Sequence, residues 1–197
     1  YLGELRVRKP PLMNWLVASA YHIAGTTHSA LVARLPSALS GIALMALLYL
    51  SSARALGRRR AFVAGLVCGT SFIILRQGRL AETDVLLTLF TAGAALAGFQ
   101  ALRGPSHRFW WLAAGLSAGL GFMTKGPAAI IFPSLALAAY TLCRRDSRPG
   151  WKSWLPPGGL LAFALVALPW YVWIMAGGGN EAVKLQLQDE VARATTE

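Results

Sequence analysis

Six apolar stretches alternate with short polar breaks along the chain, at 31–53, 61–75, 85–102, 109–123, 128–142 and 155–175. None sustains an alternation of period two, which sets aside a β-barrel and leaves helices as the way to satisfy a backbone in hydrocarbon. Several of the stretches are near or below the roughly 20 residues that a spanning helix needs. Next to Gly and Pro, such short runs predict helices that stop inside a cavity, or the halves of one kinked helix. Gly65, Gly69, Gly93, Gly98, Gly115 and Gly119 lie within the stretches, and small residues there let helices pack closely.

Two other segments have a different pattern. The piece at 12–24 is too short to cross comfortably and carries Asn14, Trp15, Tyr21 and His22 at mixed spacing. It predicts a helix lying at the membrane interface, with Pro10 and Pro11 suited to its first turn. At 181–196, Val183, Leu187, Val191 and Ala194 form one helical stripe with charges on the other side, a second surface helix.

Composition changes the picture in one respect. With 55% hydrophobic and 14% charged residues in 197, the chain is too apolar for a soluble domain, and an all-α, polytopic transmembrane bundle is expected. Cys68 and Cys143 fall in or at the edge of predicted spans without metal or pairing spacing, and are read as packing residues. The sequence opens on Tyr1, and we expect it to be a piece of a longer polypeptide, incomplete at both ends. Residues 1–176 form a transmembrane fragment in this reading: 1–28 are an outer loop and interfacial helix, followed by about six spans from 31 to 175. Residues 177–197 begin an outer loop with the second amphipathic helix.

Charge then orients the bundle. The net charge of +11 is spread between spans and not along one soluble face, which argues against a nucleic-acid partner. Three breaks are dense in cations: Arg54, Arg58, Arg59 and Arg60; Arg103 and Arg108; Arg144, Arg145, Arg148 and Lys152. Placing all three in the cytoplasm follows the positive-inside rule. The stretch between Arg108 and Arg144 must then cross twice, as a hairpin with Lys125-Gly126-Pro127 at its tip. The competing arrangement is one long broken helix over 109–142, which would invert everything after it. The hairpin puts Lys9, Asp84 and Lys125 on the same outer side.

Each of these three has a plain reading beside a chemical one. Lys9 can anchor an interfacial segment at lipid headgroups, and Asp84 can cap the helix that starts at Val85. Lys125 is harder to explain so, because a charge between two short apolar spans is costly without water, a partner or a ligand. Arg34 can hold a structural partner or a phosphate; Arg76 and Arg79 can cradle a phosphate or line a solvated loop. Glu82 reads as solvated. Trp110, Trp111, Trp151, Trp154, Trp170 and Trp173 read as interfacial belts and not as sugar platforms.

Five motifs, in order, resemble one family: Lys9-Pro10-Pro11-Leu12-Met13-Asn14-Trp15-Leu16, Ala33-Arg34-Leu35-Pro36-Ser37-Ala38-Leu39, Gly78-Arg79-Leu80-Ala81-Glu82-Thr83-Asp84, Gly121-Phe122-Met123-Thr124-Lys125-Gly126-Pro127 and Pro169-Trp170-Tyr171. The chain resembles the lipid-carrier-dependent glycosyltransferases of the GT-C class, within the protein-mannosyltransferase superfamily, and most of all its aminoarabinose lipid A transferase branch. The resemblance implies a bacterial inner-membrane enzyme with a periplasmic active face. A sugar on a polyprenyl phosphate would be transferred, with inversion, to lipid A or another envelope glycan or protein acceptor. It implies that Lys9 and Lys125 contact the carrier phosphate and that Asp84 is the catalytic acid-base or orienting residue; Arg34 is a further phosphate candidate from its position near the outer end of a span. Membrane lipids are the other expected partners.

The chemistry suits those residue types. A sugar phosphodiester carries one negative charge, and the departing carrier becomes a monoester with charge approaching minus two. Fixed lysines stabilise that growing charge more than the ground state, while an Asp can accept a proton or hold the acceptor in line. Two departures stand out. The family's acidic motif in the first outer loop lies upstream of this sequence, so the fragment alone is expected to be inactive. Where one branch has a Glu that serves a metal, this chain has Arg8. No metal or other cofactor is predicted from this segment, although a divalent metal is compatible with the full-length protein. The alternatives are a protein O-mannosyltransferase-like enzyme, or a transporter or flippase of lipid-linked anions.

Overall fold

A computed structural model describes residues 10–103, 107–143 and 157–176. Among them are eight helices: α1 Leu12–Ala24, α2 Ala30–Leu56, α3 Arg58–Thr70, α4 Phe72–Gly78, α5 Asp84–Arg103, α6 His107–Lys125, α7 Ala128–Cys143 and α8 Pro157–Ala176. The protein is a multi-pass membrane protein. The Ala30–Ala53 part of α2, and α5, are long and apolar enough to cross a bilayer, and α3 with α4 passes the same test as a bent pair. Shorter apolar helices are Ala128–Cys143 and Pro157–Trp173.

The apolar run at 61–75 is thus broken in two, with a bend of 60° between α3 and α4. Ser71 makes the break: its backbone leaves the helical region (φ −64°, ψ 136°), and its hydroxyl donates to the Cys68 carbonyl at 2.7 Å. The same carbonyl also accepts from the Ser71 backbone amide at 3.2 Å, so side chain and backbone together close the last turn of α3.

The helices run up and down, and the contacts fix their sense. The position of Gly93 faces Ser117, and that of Gly121 faces Phe90, so α6 returns antiparallel to α5. Leu137 of α7 approaches Gly98 and Tyr140 meets Phe99 at 4.8 Å between ring centroids, so α7 runs back parallel to α5. The hairpin expected from charge is therefore present, and the single long helix over 109–142 is not. Its tip turns on Gly126, whose φ of 78° is a left-handed conformation that side chains resist. Helix α8 follows α6, with Phe163 and Tyr171 both against Phe122.

This order collects the start of α2, the end of α4, the start of α5, the end of α6 and the end of α8 at one end, called here the Asp84 end. Helix α1 lies there as well, with Trp15 edge-on to Trp170 at 5.6 Å. Arg58, Arg59, Arg60, Arg103 and Arg108 lie at the opposite end, all exposed.

Packing is inside-out relative to a soluble bundle. The core is largely small: Ala61, Ala101, Ala129 and Ala167 are fully buried, whereas Leu31, Phe62, Phe72, Phe132 and Leu165 face outward. That is the arrangement expected where lipid is the solvent and association depends on close approach. A Cβ at Gly115 would run into the Gly159 carbonyl, and one at Gly119 would come within 2.9 Å of Val166 Cβ. An apolar cleft of about 270 Å³ remains among α5, α6, α7 and α8, lined in part by Trp111, Ala118, Pro133 and Phe163.

Candidate active site

Asp84 opens α5, and the two residues that follow it, Val85 and Leu86, are buried at 1% and 3% exposure. The helix start is therefore seated in the core. The turn before it is tied down by Ser37 of α2, fully buried, whose hydroxyl donates to the Glu82 carbonyl at 2.9 Å. Thr83 offers its carbonyl to the Leu87 amide at 2.8 Å. The carboxylate then projects from an anchored backbone.

Lys125 is held in the same manner from the other side. It is the last residue of α6, and it follows Met123 and Thr124, both buried. Thr124 donates its hydroxyl to the Leu120 carbonyl at 2.8 Å, and the Gly126 amide closes the last turn on the Phe122 carbonyl at 2.9 Å.

The two charges meet. Lys125 Nζ lies 2.7 Å from Asp84 Oδ1, with 53% of the lysine and 40% of the aspartate side chain exposed. A pair this open contributes only about 0–1 kcal/mol to folding. Stability therefore does not account for placing two charges between apolar helix ends. The ammonium has three protons and gives one to Asp84, leaving two for another anion. The second carboxylate oxygen is also engaged: Gln77 of α4 donates its side-chain amide to Oδ2 at 3.4 Å. Asp84 thus bridges α4 and α6.

The sequence placed Asp84 and Lys125 on one side of the membrane, and the structure brings them into contact. Asp84 lies in the first turn of α5, so helix position and ion pairing coexist. Lys9 lies outside the described residues; the adjoining Pro10 and Pro11 are buried at the start of α1. Arg34 sits on α2 one turn before Ser37, exposed, and among the described residues it makes no ion pair. Arg76, Arg79 and Glu82 are exposed. The helix expected at 181–196, the basic segment 144–152, Trp151 and Trp154 lie outside the described residues. Gln77 was missed by sequence reasoning. Its signal in the sequence was weak: an amide between Arg76 and Gly78, just past the apolar run at 61–75 and seven residues before the acid. Among the described residues, no group of three or more His, Cys, Asp or Glu is placed to hold a metal ion.

Comparison with known proteins adds an independent line. A family model described as dolichyl-phosphate-mannose-protein mannosyltransferase matches residues 8–173. An undecaprenyl phosphate-alpha-4-amino-4-deoxy-L-arabinose arabinosyl transferase of Edwardsiella ictaluri is 32% identical over 181 residues, 88% of this chain and 32% of its own length. A similarly named Proteus mirabilis protein is 32% identical over 178 residues, 86% of this chain and 31% of its own. The chain spans about a third of the length of these curated relatives. Among solved structures, ArnT from Cupriavidus metallidurans bound to undecaprenyl phosphate superposes with a TM-score of 0.74 at 23% identity, over 89% of this chain and 32% of that one. At that identity the likeness is one of fold.

Proposed function

We propose a function from one premise: the chain belongs to the dolichyl-phosphate-mannose-protein mannosyltransferase family. Its parent is an integral-membrane glycosyltransferase that moves a sugar from a polyprenyl-phosphate carrier to lipid A or a related envelope acceptor. The enzyme sits in the bacterial inner membrane with its Asp84 end toward the periplasm. Residues 1–176 supply the transmembrane part of the catalytic domain, and 177–197 begin an outer loop. The observation that carries this reading is the Lys125–Asp84 pair, half-exposed at the end of the bundle where Pro10, Pro11 and α1 lie. The names of the relatives, which specify undecaprenyl phosphate and aminoarabinose, support the substrate class.

In the transfer, the bond between the anomeric carbon and the phosphate oxygen breaks, and the electron pair leaves with the carrier as a phosphate monoester. The acceptor oxygen attacks the opposite face of that carbon, which inverts it. Lys125, with Lys9 and Arg34 as further phosphate contacts, meets the charge that develops on the departing oxygen. A compact ammonium suits this work because it requires no bidentate geometry. Asp84 takes the proton from a hydroxyl acceptor; a phosphate acceptor has none to give, and there Asp84 only holds the lysine in line.

In the full-length parent, Lys125→Ala is expected to lower transfer by about 10²-fold or more, the cost typical of deleting one donor to a developing oxyanion. Asp84→Ala is expected to do the same with normal membrane expression. Full activity of both variants, measured with undecaprenyl phosphate-linked aminoarabinose and lipid A, would sink the assignment. The family description favours a second acceptor class, protein hydroxyls. Mass spectrometry of lipid A and of envelope proteins, from cells with and without the parent, separates the two.

A further inference from the structure

We propose that Gln77 is a positioning residue for the Lys125–Asp84 pair: its side-chain amide fixes the plane of the Asp84 carboxylate so that Oδ1 faces the lysine. This deepens the transferase reading and rests on it for its catalytic meaning. A carboxylate rotates freely about its last torsion, and one held by a single contact at Oδ1 can swing. Gln77 Nε2 on Oδ2, opposite Lys125 Nζ on Oδ1, gives it a second anchor. At 3.4 Å this bond is longer than the lysine's 2.7 Å, so Lys125 supplies the charge interaction and Gln77 the direction.

Two observations distinguish this from ordinary packing. The amide can face Asp84 only through its nitrogen, since oxygen against carboxylate would set acceptor against acceptor. That orientation leaves Gln77 Oε1 buried, with no partner among the described residues. An unmet buried acceptor is costly, and a Leu or Met at 77 would fill the space without that cost. The amide is explained by its donor. The arm that carries it is also placed: one turn earlier, Ile74 lies against α2 where a Cβ at Gly41 would touch both Ile74 and Val85. Helix α4 is thereby set against the start of α5, and the bend at Ser71 gives it a direction that a straight α3 would not have.

The charged groups on the elements around Asp84 are Lys125 on α6, Arg76 and Arg79 on α4 and its cap, Arg34 on α2, and Glu82 before α5. Of these, Lys125 alone pairs with Asp84 among the described residues.

The test uses the full-length parent and undecaprenyl phosphate-linked aminoarabinose with lipid A. Gln77→Leu is expected to lower kcat about tenfold while KM for the donor changes less than about twofold, because a lost alignment acts on the chemical step. Gln77→Glu keeps the shape. Its carboxyl can donate to Asp84 while protonated and repels it once ionised, so transfer stays near wild type at acid pH and falls away as pH rises. An unchanged kcat in Gln77→Leu, or a Gln77→Glu profile parallel to wild type, overturns the proposal. Thermal melts of Gln77→Leu, Asp84→Ala and the double variant give a readout without turnover. Non-additive shifts are expected, and additive ones count against the coupling. A wild-type parent that transfers no sugar yet shows non-additive melts defeats the transferase reading and leaves the positioning of Asp84 intact.

Discussion

At the Asp84 end, Gln77 of α4 and Lys125 of α6 both reach the Asp84 carboxylate of α5, and Ser37 of α2 ties the turn before it through the Glu82 carbonyl. At the opposite end Arg58, Arg59, Arg60 and Arg108 are exposed, and Arg103 lies over the Phe99 ring at 5.2 Å. The first end carries both signs and holds two of its charges in a pair; among the described residues the second carries cations alone, none of them ion-paired. In the proposed function, the difference follows from what each charge has to do. Orienting a bundle across a membrane needs only a surplus of cations on one side, whereas acting on one phosphate requires a charge held within a fraction of an ångström. An even spread of cations would have suited the first task and failed the second.

The comparison can be broken most severely through the middle of the bundle. Gly115→Leu forces a side chain into the Gly159 carbonyl and should destabilise the fold by about 1–3 kcal/mol or more, as core overpacking does. A melt in detergent would show it, and because α6 carries Lys125, activity should fall with it. Ser37→Ala removes the bond to the Glu82 carbonyl and should cost about 1 kcal/mol. Transfer should drop by about threefold as Asp84 loses its anchored turn; an unaffected rate would show that the turn is held by other contacts. Arg60→Ala, at the other end, should change stability by less than about 0.5 kcal/mol and leave transfer unaltered. A large loss there would mean that the second end also carries a fixed task.

Much of this was legible in the sequence, for reasons that differ by element. The stretches at 85–102 and 128–142 correspond to α5 and α7 nearly residue for residue, because hydrocarbon tolerates few polar residues and so marks the ends of spans sharply. The piece at 12–24 became α1 with the same bounds. The turn at Gly126 followed from counting crossings between Arg108 and Arg144, a constraint imposed by the membrane and not by local propensity. The break at Ser71 was missed although Gly69-Thr70-Ser71 interrupts the apolar run there, because small and hydroxylated residues are also common inside closely packed membrane helices. Gln77 was missed because its partner belongs to another helix. Asp84 and Lys125 were placed on one side by topology; their direct contact depends on the register of α5 against α6, which the small residues set and no single motif displays.

The small-inside, large-outside packing has a thermodynamic corollary. In a soluble domain, unfolding wets large apolar side chains and raises the heat capacity, which curves stability against temperature. Here Leu31, Phe62, Phe132 and Leu165 already face outward, and hydrocarbon surrounds them whether or not the helices stay together. Pulling α6 away from α8 would expose Gly115, Gly119 and Gly159 together with Phe122, Phe163 and Tyr171, and to lipid instead of water. The heat-capacity change on separation should therefore be small, and the bundle should weaken almost linearly on warming, without the cold instability that hydrophobic cores inherit from water.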